Sequence, residues 1–361
     1  MNTFSETTVD SIVKAFQELI LPVSGNLKTK VSGPCAPETP VAGAICFTSN
    51  PEHLLGLFQS RVSAVGVHPK MASLVKDAPA HIVILTTKNT KLAMTLVNQK
   101  FFPMPCLGEP FDSHQRIHST ATISKTAKVA ADAIIGPHAV ISAGVVIGAG
   151  VNIGAQTFIG QNTIIGDHTR LHPLVYIAHN CKIGARCEIK SNSTIGSYGF
   201  GFARDDKGLN HHVPHYGGAI LEDDIHIGAN TTVDGGTFAP SHLGAGTKID
   251  NHCHIGHNAT IGKNVIITAG FIMAGSATIG DNCVFGGTVS VNGHISIASN
   301  TSIAPLSGVS NNITVPGVYG GYPPMPFKDH LKAQTSLQHL PRMRRAITRI
   351  VNHLGLKESE S

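Results

Sequence analysis

The stretch IGAGVNIGAQTFIGQNTIIGDH, Ile147–His168, places isoleucine at 147, 153, 159 and 165, each followed by glycine. A spacing of six matches neither the 3.6-residue turn of a helix nor the plain alternation of a long strand. It matches a solenoid in which each hexad is one short strand and one corner, with the aliphatic residue pointing inward. The spacing extends far beyond this stretch. Fourteen consecutive hexads run from Ile117 to Ile195, three from Leu221 to Val233 and twelve from Leu243 to Val309, twenty-nine in all. Three hexads close one triangular coil. The pattern therefore predicts nine to ten coils stacked about 4.8 Å apart, a prism roughly 45 Å long. The glycine, asparagine, aspartate or alanine that follows the aliphatic position is expected to form the corner with unusual φ.

The phase of the repeat assigns four cysteines. Cys181, Cys187, Cys253 and Cys283 each stand four residues after an aliphatic position, in a second inward slot that elsewhere holds Ser, Thr, Ala or Val. They read as small core fillers rather than ligands or nucleophiles. The repeat lapses twice, at 196–220 and at 235–242. Long excursions from a rigid scaffold are usually functional.

The ends have a different texture. Residues 1–105 alternate helical stretches (Thr7 to Leu19, PEHLLGLFQS, NTKLAMTLVNQKFF) with strand-like AICFTS and HIVILTT, which predicts a small α/β domain. A proline-rich linker is expected at 106–116, and the solenoid then spans 117–314. Residues 315–361 give a proline-rich exit and one or two helices, with Pro341 opening the second or kinking the first. From Phe327 to Lys357, Lys328, Lys332, Arg342, Arg344, Arg345, Arg349 and Lys357 stand against Asp329 alone. Such a tail suits an acidic partner or a solvated helix face. The 361 residues include 38 glycines, no tryptophan and only 14% charged side chains, with a formal net charge of +5. No signal peptide, membrane-length apolar run or CxxC pair is visible, so the expectation is a cytoplasmic protein with reduced thiols, no transmembrane segment and no nucleic-acid partner.

Asn251–Gly262, NHCHIGHNATIG, packs His252, His254 and His257 into six residues. In the hexad register His252 and His254 precede a corner and His257 follows it, so the three need not converge on a metal. His257 and His294 lie two coils apart on one face, roughly 10 Å along the axis. Imidazole titrates where a general base must. The I-x-H-N pattern of His257 also occurs at His179, and the pattern alone does not choose between them.

In order along the chain, FTSNP (Phe47–Pro51), GSYGFGFA, IDNHCHIGHNATIG, FIMAGSATIG, VNGH and PGVYGGYP resemble the UDP-3-O-(3-hydroxyacyl)glucosamine N-acyltransferases of lipid A biosynthesis. The resemblance covers about residues 45 to 350. It implies a mainly β fold, a left-handed parallel β-helix with an α/β uridine-binding domain and C-terminal helices. That handedness runs against the usual right-handed crossover. It further implies a homotrimer with sites at subunit interfaces, and transfer of an (R)-3-hydroxyacyl group from acyl carrier protein to the 2-amine of a UDP-sugar. No cofactor or metal is implied beyond the carrier's phosphopantetheine. The motif assigns the general base to His257, the oxyanion donor to the backbone of Gly275, and a second site role to His294. Asp250 is expected to orient His257 or to bind substrate, with Asn251 beside it. Phe47 and Asn50 are expected to hold the uracil. His53 stands where the family usually has tyrosine, which places that contact in question. The stretch IAPLSGVS, with Ala304, Ser307 and Gly308, would admit a long acyl chain if the acyl groove runs there.

Three other readings fit parts of the sequence. A zinc hydrase of γ-carbonic-anhydrase type would use His252 and His257, five residues apart, with a third histidine such as those of HHVPH (His211–His215). A related sugar acyltransferase would not need the N-terminal domain. A non-catalytic solenoid would need neither His257 nor the excursions.

Overall fold

The computed structural model describes residues 4–103, 116–321 and 327–355, so the expected linker lies almost wholly outside the described residues. The chain forms two compact units, Met1–Cys106 and Leu107–Ser361.

The first unit is the expected α/β domain. Strands Ile45–Thr48, Ala64–Val67 and Val83–Thr86 run parallel, and Leu21–Ser24 adds antiparallel beside Val83–Thr86. All residues of the first two strands are buried, as a sheet covered on both faces requires. Helices Pro51–Phe58 and Thr90–Phe101 follow their strands, each opened by an asparagine cap, Asn50 and Asn89. The first helix is shorter than the spacing predicts. It spans Val9–Ala15, because Thr7–Thr8 pairs with Lys30–Val31 and the Thr8 hydroxyl caps the helix at Ser11.

The second unit is a three-faced parallel prism. Its faces hold ten, nine and ten strands in register, so the predicted coil count is met. The first face includes Thr194–Ser197, Thr232–Asp234, His254–Ile255, Ile272–Met273 and Ser290–Val291 in stacking order. The inward aliphatic residues stack directly, as Ile255 on Met273 on Val291. Cys181, Cys187, Cys253 and Cys283 are buried in the second inward slot, and burial pushes all four thiols up, Cys181 to about 11. Threonines in the same slot are satisfied across coils, as where the Thr163 hydroxyl donates to the Ala178 carbonyl at 2.8 Å.

One expectation about the corner is corrected. The left-handed φ falls three residues after the aliphatic position, at Asn162, Asn180, Asn258, Asn264, Asn282 and Asn300 among others. The glycine directly after the aliphatic residue has ordinary φ inside the prism, except Gly196 at φ 81°, where the first excursion begins. Its role is close approach: a Cβ on Gly160 would sit 2.7 Å from the Ala178 carbonyl carbon of the next coil.

Phe271 and Phe285 are the bulkiest fully buried side chains among the described residues, edge to face at 5.1 Å. Phe271→Ala is expected to cost about 3–5 kcal/mol, read as a lower denaturation midpoint.

The exit stretch does more than leave the prism. Val318–Tyr319 pairs with Ser302–Ile303 and adds the last strand to the third face. Helices Phe327–Leu337 and Leu340–His353 follow, with Pro341 in the first turn of the second, so it opens that helix.

Candidate active site

The two lapses in the repeat meet each other. The first carries an antiparallel hairpin, Phe202–Arg204 against Asn210–His212, turned by Asp205, whose side chain accepts from Lys207 and Leu209 N–H at 2.9 Å. The second returns to the prism at Ser241–Leu243, which pairs with Ala219–Leu221. Backbone bonds join them: Tyr216 N–H donates to Thr237 and Gly217 N–H to Gly236. Both excursions leave from one edge of the prism, the corner after the first face. In successive coils that edge carries Ser197, Asp234, His257, Gly275 and His294.

His257 is half-buried on this edge. Its Nδ1 lies 2.9 Å from the Asn258 side-chain oxygen. That oxygen also accepts from the Thr237 N–H at 3.2 Å and its hydroxyl at 2.9 Å, so the second excursion fixes Asn258. A carbonyl acceptor at Nδ1 makes that nitrogen the protonated one and leaves the Nε2 lone pair free. Nε2 faces Gly275, where an added Cβ would lie only 2.7 Å away. From the other side Gly199 closes on the ring, its would-be Cβ 2.5 Å from the Cβ of His257. Two glycines thus make room for this imidazole.

The Gly275 N–H has no acceptor among the described residues. The repeat explains why. At the corner after the second face the N–H of the equivalent position is capped by the side chain one coil further on, Ala149 by Asp167, Ala185 by Asp223, Lys263 by Asp281 and Asp281 by Ser299, whereas on this edge the N–H groups of Ala143, Gln161, His179 and His257 are uncapped like that of Gly275. Above Gly275 that position is Gly293, which has no side chain. An unspent backbone donor next to a free imidazole nitrogen is a suitable setting for an oxyanion. His294 sits in the next coil at φ 59°, exposed, its N–H donating to the Gly275 carbonyl at 3.2 Å. The structure therefore places His257, Gly275 and His294 on one edge in three successive coils.

Asp250 and Asn251 are not part of that group within one chain. They lie on the preceding corner, separated from His257 by the whole first face. Asn251 caps the Ala229 N–H at 2.7 Å, and Asp250 accepts from the Asn251 N–H. Asn258, not Asp250, orients His257. His252 is on the corner of Asp250, so His252 and His257 point from different edges. Among the described residues no group of three or more His, Cys, Asp or Glu has the geometry to hold a metal ion.

His179 occupies the same edge, three coils before His257. Its setting differs. The Asn180 oxygen that would match Asn258 accepts from Asn162 at 3.4 Å instead, and Tyr198 meets the His179 ring at 5.9 Å.

In the first unit, Phe47, Asn50 and His53 line one cleft of about 310 Å³ with Thr90, Lys91 and Met94. Phe47 is 8% exposed and packs against Gly66, where a Cβ would clash with its ring at 2.3 Å. The ring is thus both core aromatic and cleft wall. The Asn50 oxygen is committed to the Glu52 N–H at 2.8 Å, which leaves its amide NH₂ to a ligand. His53 faces Glu38 at 3.6 Å.

Three residues behind His257 went unassigned in the sequence. Asp234 is 5% exposed and accepts from the Ser197 hydroxyl at 2.9 Å; burial raises its pKa, while that bond and His254, His257 and His215 lower it. His215 is 3% exposed, its ring centroid 5.2 Å from that of His257. Only the HHVPH cluster marked His215 beforehand, and as a metal ligand.

Comparison with known proteins identifies the family of the chain. The family described as bacterial transferase hexapeptide (six repeats) matches residues 240–270, and the GMPPB C-terminal domain family matches residues 117–243. A UDP-3-O-acylglucosamine N-acyltransferase of Methylococcus capsulatus is 37% identical over 306 residues, 85% of this chain and 84% of its own length. One from Pseudomonas syringae pv. syringae is 35% identical over 90% of each chain. Among solved structures, the UDP-N-acetylglucosamine O-acyltransferase of Moraxella catarrhalis is 22% identical, with a TM-score of 0.47 over 66% of this chain and 92% of that one. The chain belongs to the UDP-3-O-acylglucosamine N-acyltransferase family and is an N-acyltransferase.

Proposed function

We propose that this enzyme transfers an (R)-3-hydroxyacyl group from acyl carrier protein to the 2-amine of UDP-3-O-(3-hydroxyacyl)glucosamine, giving UDP-2,3-diacylglucosamine for lipid A biosynthesis. The observation that carries the reading is the pairing of the free His257 Nε2 with the uncapped Gly275 N–H. The amine attacks the thioester carbon as Nε2 takes its proton. The carbonyl oxygen becomes an oxyanion that accepts from Gly275 N–H. The intermediate collapses, the C–S bond breaks, and the imidazolium returns the proton to the leaving thiolate. Atoms and charge balance with no cofactor, and the buried cysteines take no part.

The cleft at Phe47, Asn50 and His53 suits the uracil, with the ring for stacking and the Asn50 amide for a base carbonyl. His294 suits the carrier's phosphopantetheine arm. Helix Leu340–His353 exposes Leu340, Met343, Ile347 and Ile350, and a groove of about 1210 Å³ is lined by the first three of these together with Arg344, Arg345 and Arg349. An amphipathic basic helix supports an acidic carrier protein over a free coenzyme as donor. A homotrimer would let the corner with Asp250 and Asn251 of one protomer approach the His257 edge of another. Among the described residues no helix is long and apolar enough to cross a membrane. Initial rates with 3-hydroxyacyl carrier protein and 3-hydroxyacyl coenzyme A test the donor: the carrier is expected to be preferred, and equal rates contradict it.

Acyl length is proposed to be set near Gly308. A Cβ there meets nothing within 4 Å, beside a cleft of about 330 Å³ shared with Ser307, Tyr319 and Gly320. Gly308→Met is expected to shift donor preference to shorter chains. An unchanged chain-length profile contradicts this placement.

A further inference from the structure

His215 is almost wholly enclosed, at 3% exposure, yet among the described residues neither ring nitrogen makes a well-formed hydrogen bond; the Val213 backbone is a weak partner. Burying an unsatisfied imidazole costs free energy that an apolar side chain of similar size would avoid. Its neighbours explain the enclosure but not the choice of residue. The ring packs against His257 at 5.2 Å, His212 at 6.0 Å and Tyr198 at 6.5 Å, and Gly201 sits where a Cβ would come within 3.2 Å. Burial holds its pKa below the ordinary histidine range; the Val213 carbonyl and Asp234 pull the other way, and His257 and His212 add to the lowering. A neutral imidazole offers one donor and one acceptor.

Its position along the edge gives these open valences a use. Gly275 and His294 lie on one side of His257, where the proposed reaction places the thioester. Ser197, Asp234 and His215 lie on the other. Asp234 spends one oxygen on Ser197, and the nearest recorded partner of the other is His254 Nε2 at 3.8 Å. A neutral imidazole and a partly spent carboxylate suit the N–H and O–H groups of an amino sugar. The hairpin covering His215 has all six strand residues exposed and pairs only with itself, so it can shift without breaking the ladder of the prism.

We propose that His215 is a binding residue for the acceptor amino sugar, taking a polar group beside the reacting amine while His257 takes the amine proton. This rests on the acyl-transfer reading above. The test is the separate KM of acceptor and donor in His215→Phe and His215→Gln, with thermal melts as fold controls. Phenylalanine keeps the bulk and removes the hydrogen bonds; glutamine keeps a donor and an acceptor and cannot titrate. The expected result is an acceptor KM raised about tenfold or more in His215→Phe, an unchanged donor KM, and recovery in His215→Gln. An unmoved acceptor KM, or an equal rise in both, overturns the assignment. Where the phenylalanine variant melts early, calorimetric binding of the acceptor alone to His215→Ala replaces it, with the same tenfold criterion. Wild-type enzyme that neither binds nor acylates the acceptor contradicts the proposed reaction; wild-type activity with an unmoved acceptor KM contradicts only the role of His215.

Discussion

Replacing His257 with alanine is expected to lower kcat by about 10²–10⁴-fold, with little change in thermal stability. The side chain is half-buried on a corner rather than inside the prism, so its removal leaves no core cavity. What is lost is the imidazole that, alone among the described residues of the edge, has its Nδ1 held by an asparagine oxygen and its Nε2 against Gly275. His179→Ala should leave kcat unchanged, although the same four-residue pattern surrounds it. Asn180 is engaged with Asn162, and the His179 ring meets Tyr198 instead. Steady-state rates of the two variants side by side check both statements. Equal losses would show that the pattern, and not its setting, marks the base.

Gly275→Ala is expected to cost about a hundredfold or more in kcat. Its φ is not in the left-handed region, so alanine is tolerated by the backbone. The added methyl would stand 2.7 Å from His257 Nε2, in the space where amine, oxyanion and imidazole must meet. The imidazole must then swing away from its bond to Asn258 or the substrate must retreat. Gly293→Ala, one coil further on, is the matched control: its Cβ would be 3.0 Å from the Gly275 carbonyl oxygen and does not touch the imidazole. A clear difference in kcat between these two variants, with similar melting temperatures, is the expected outcome.

The prism is legible because every coil repeats the same decision. Ile147, Ile153 and Ile159 fix the phase, and that phase, resumed after each excursion, carries through to the burial of Cys283, eighteen hexads beyond Ile147. The corner was misjudged by two residues because glycine has two uses that a sequence does not separate, positive φ and close approach. The motif around His257 contains Asn258 as its next letter. Its importance appears only when Thr237, brought back by an excursion, fixes its oxygen. Asp234 and His215 were illegible for a related reason. The excursions carry no period, so nothing in the sequence says which edge they return to. Asp250 and Asn251 show the converse error. Seven and six residues before His257, they seem adjacent in the chain, but a hexad of separation on this fold is a whole face.

The central claim is that this enzyme joins a carrier-borne 3-hydroxyacyl chain to a sugar amine. The most direct measurement is mass spectrometry of the product formed from 3-hydroxyacyl carrier protein and UDP-3-O-(3-hydroxyacyl)glucosamine. The account predicts one added 3-hydroxyacyl chain, stable to mild base as an amide on the 2-nitrogen, absent when His257 is alanine. No added chain, a base-labile ester, or undiminished product from His257→Ala would contradict it.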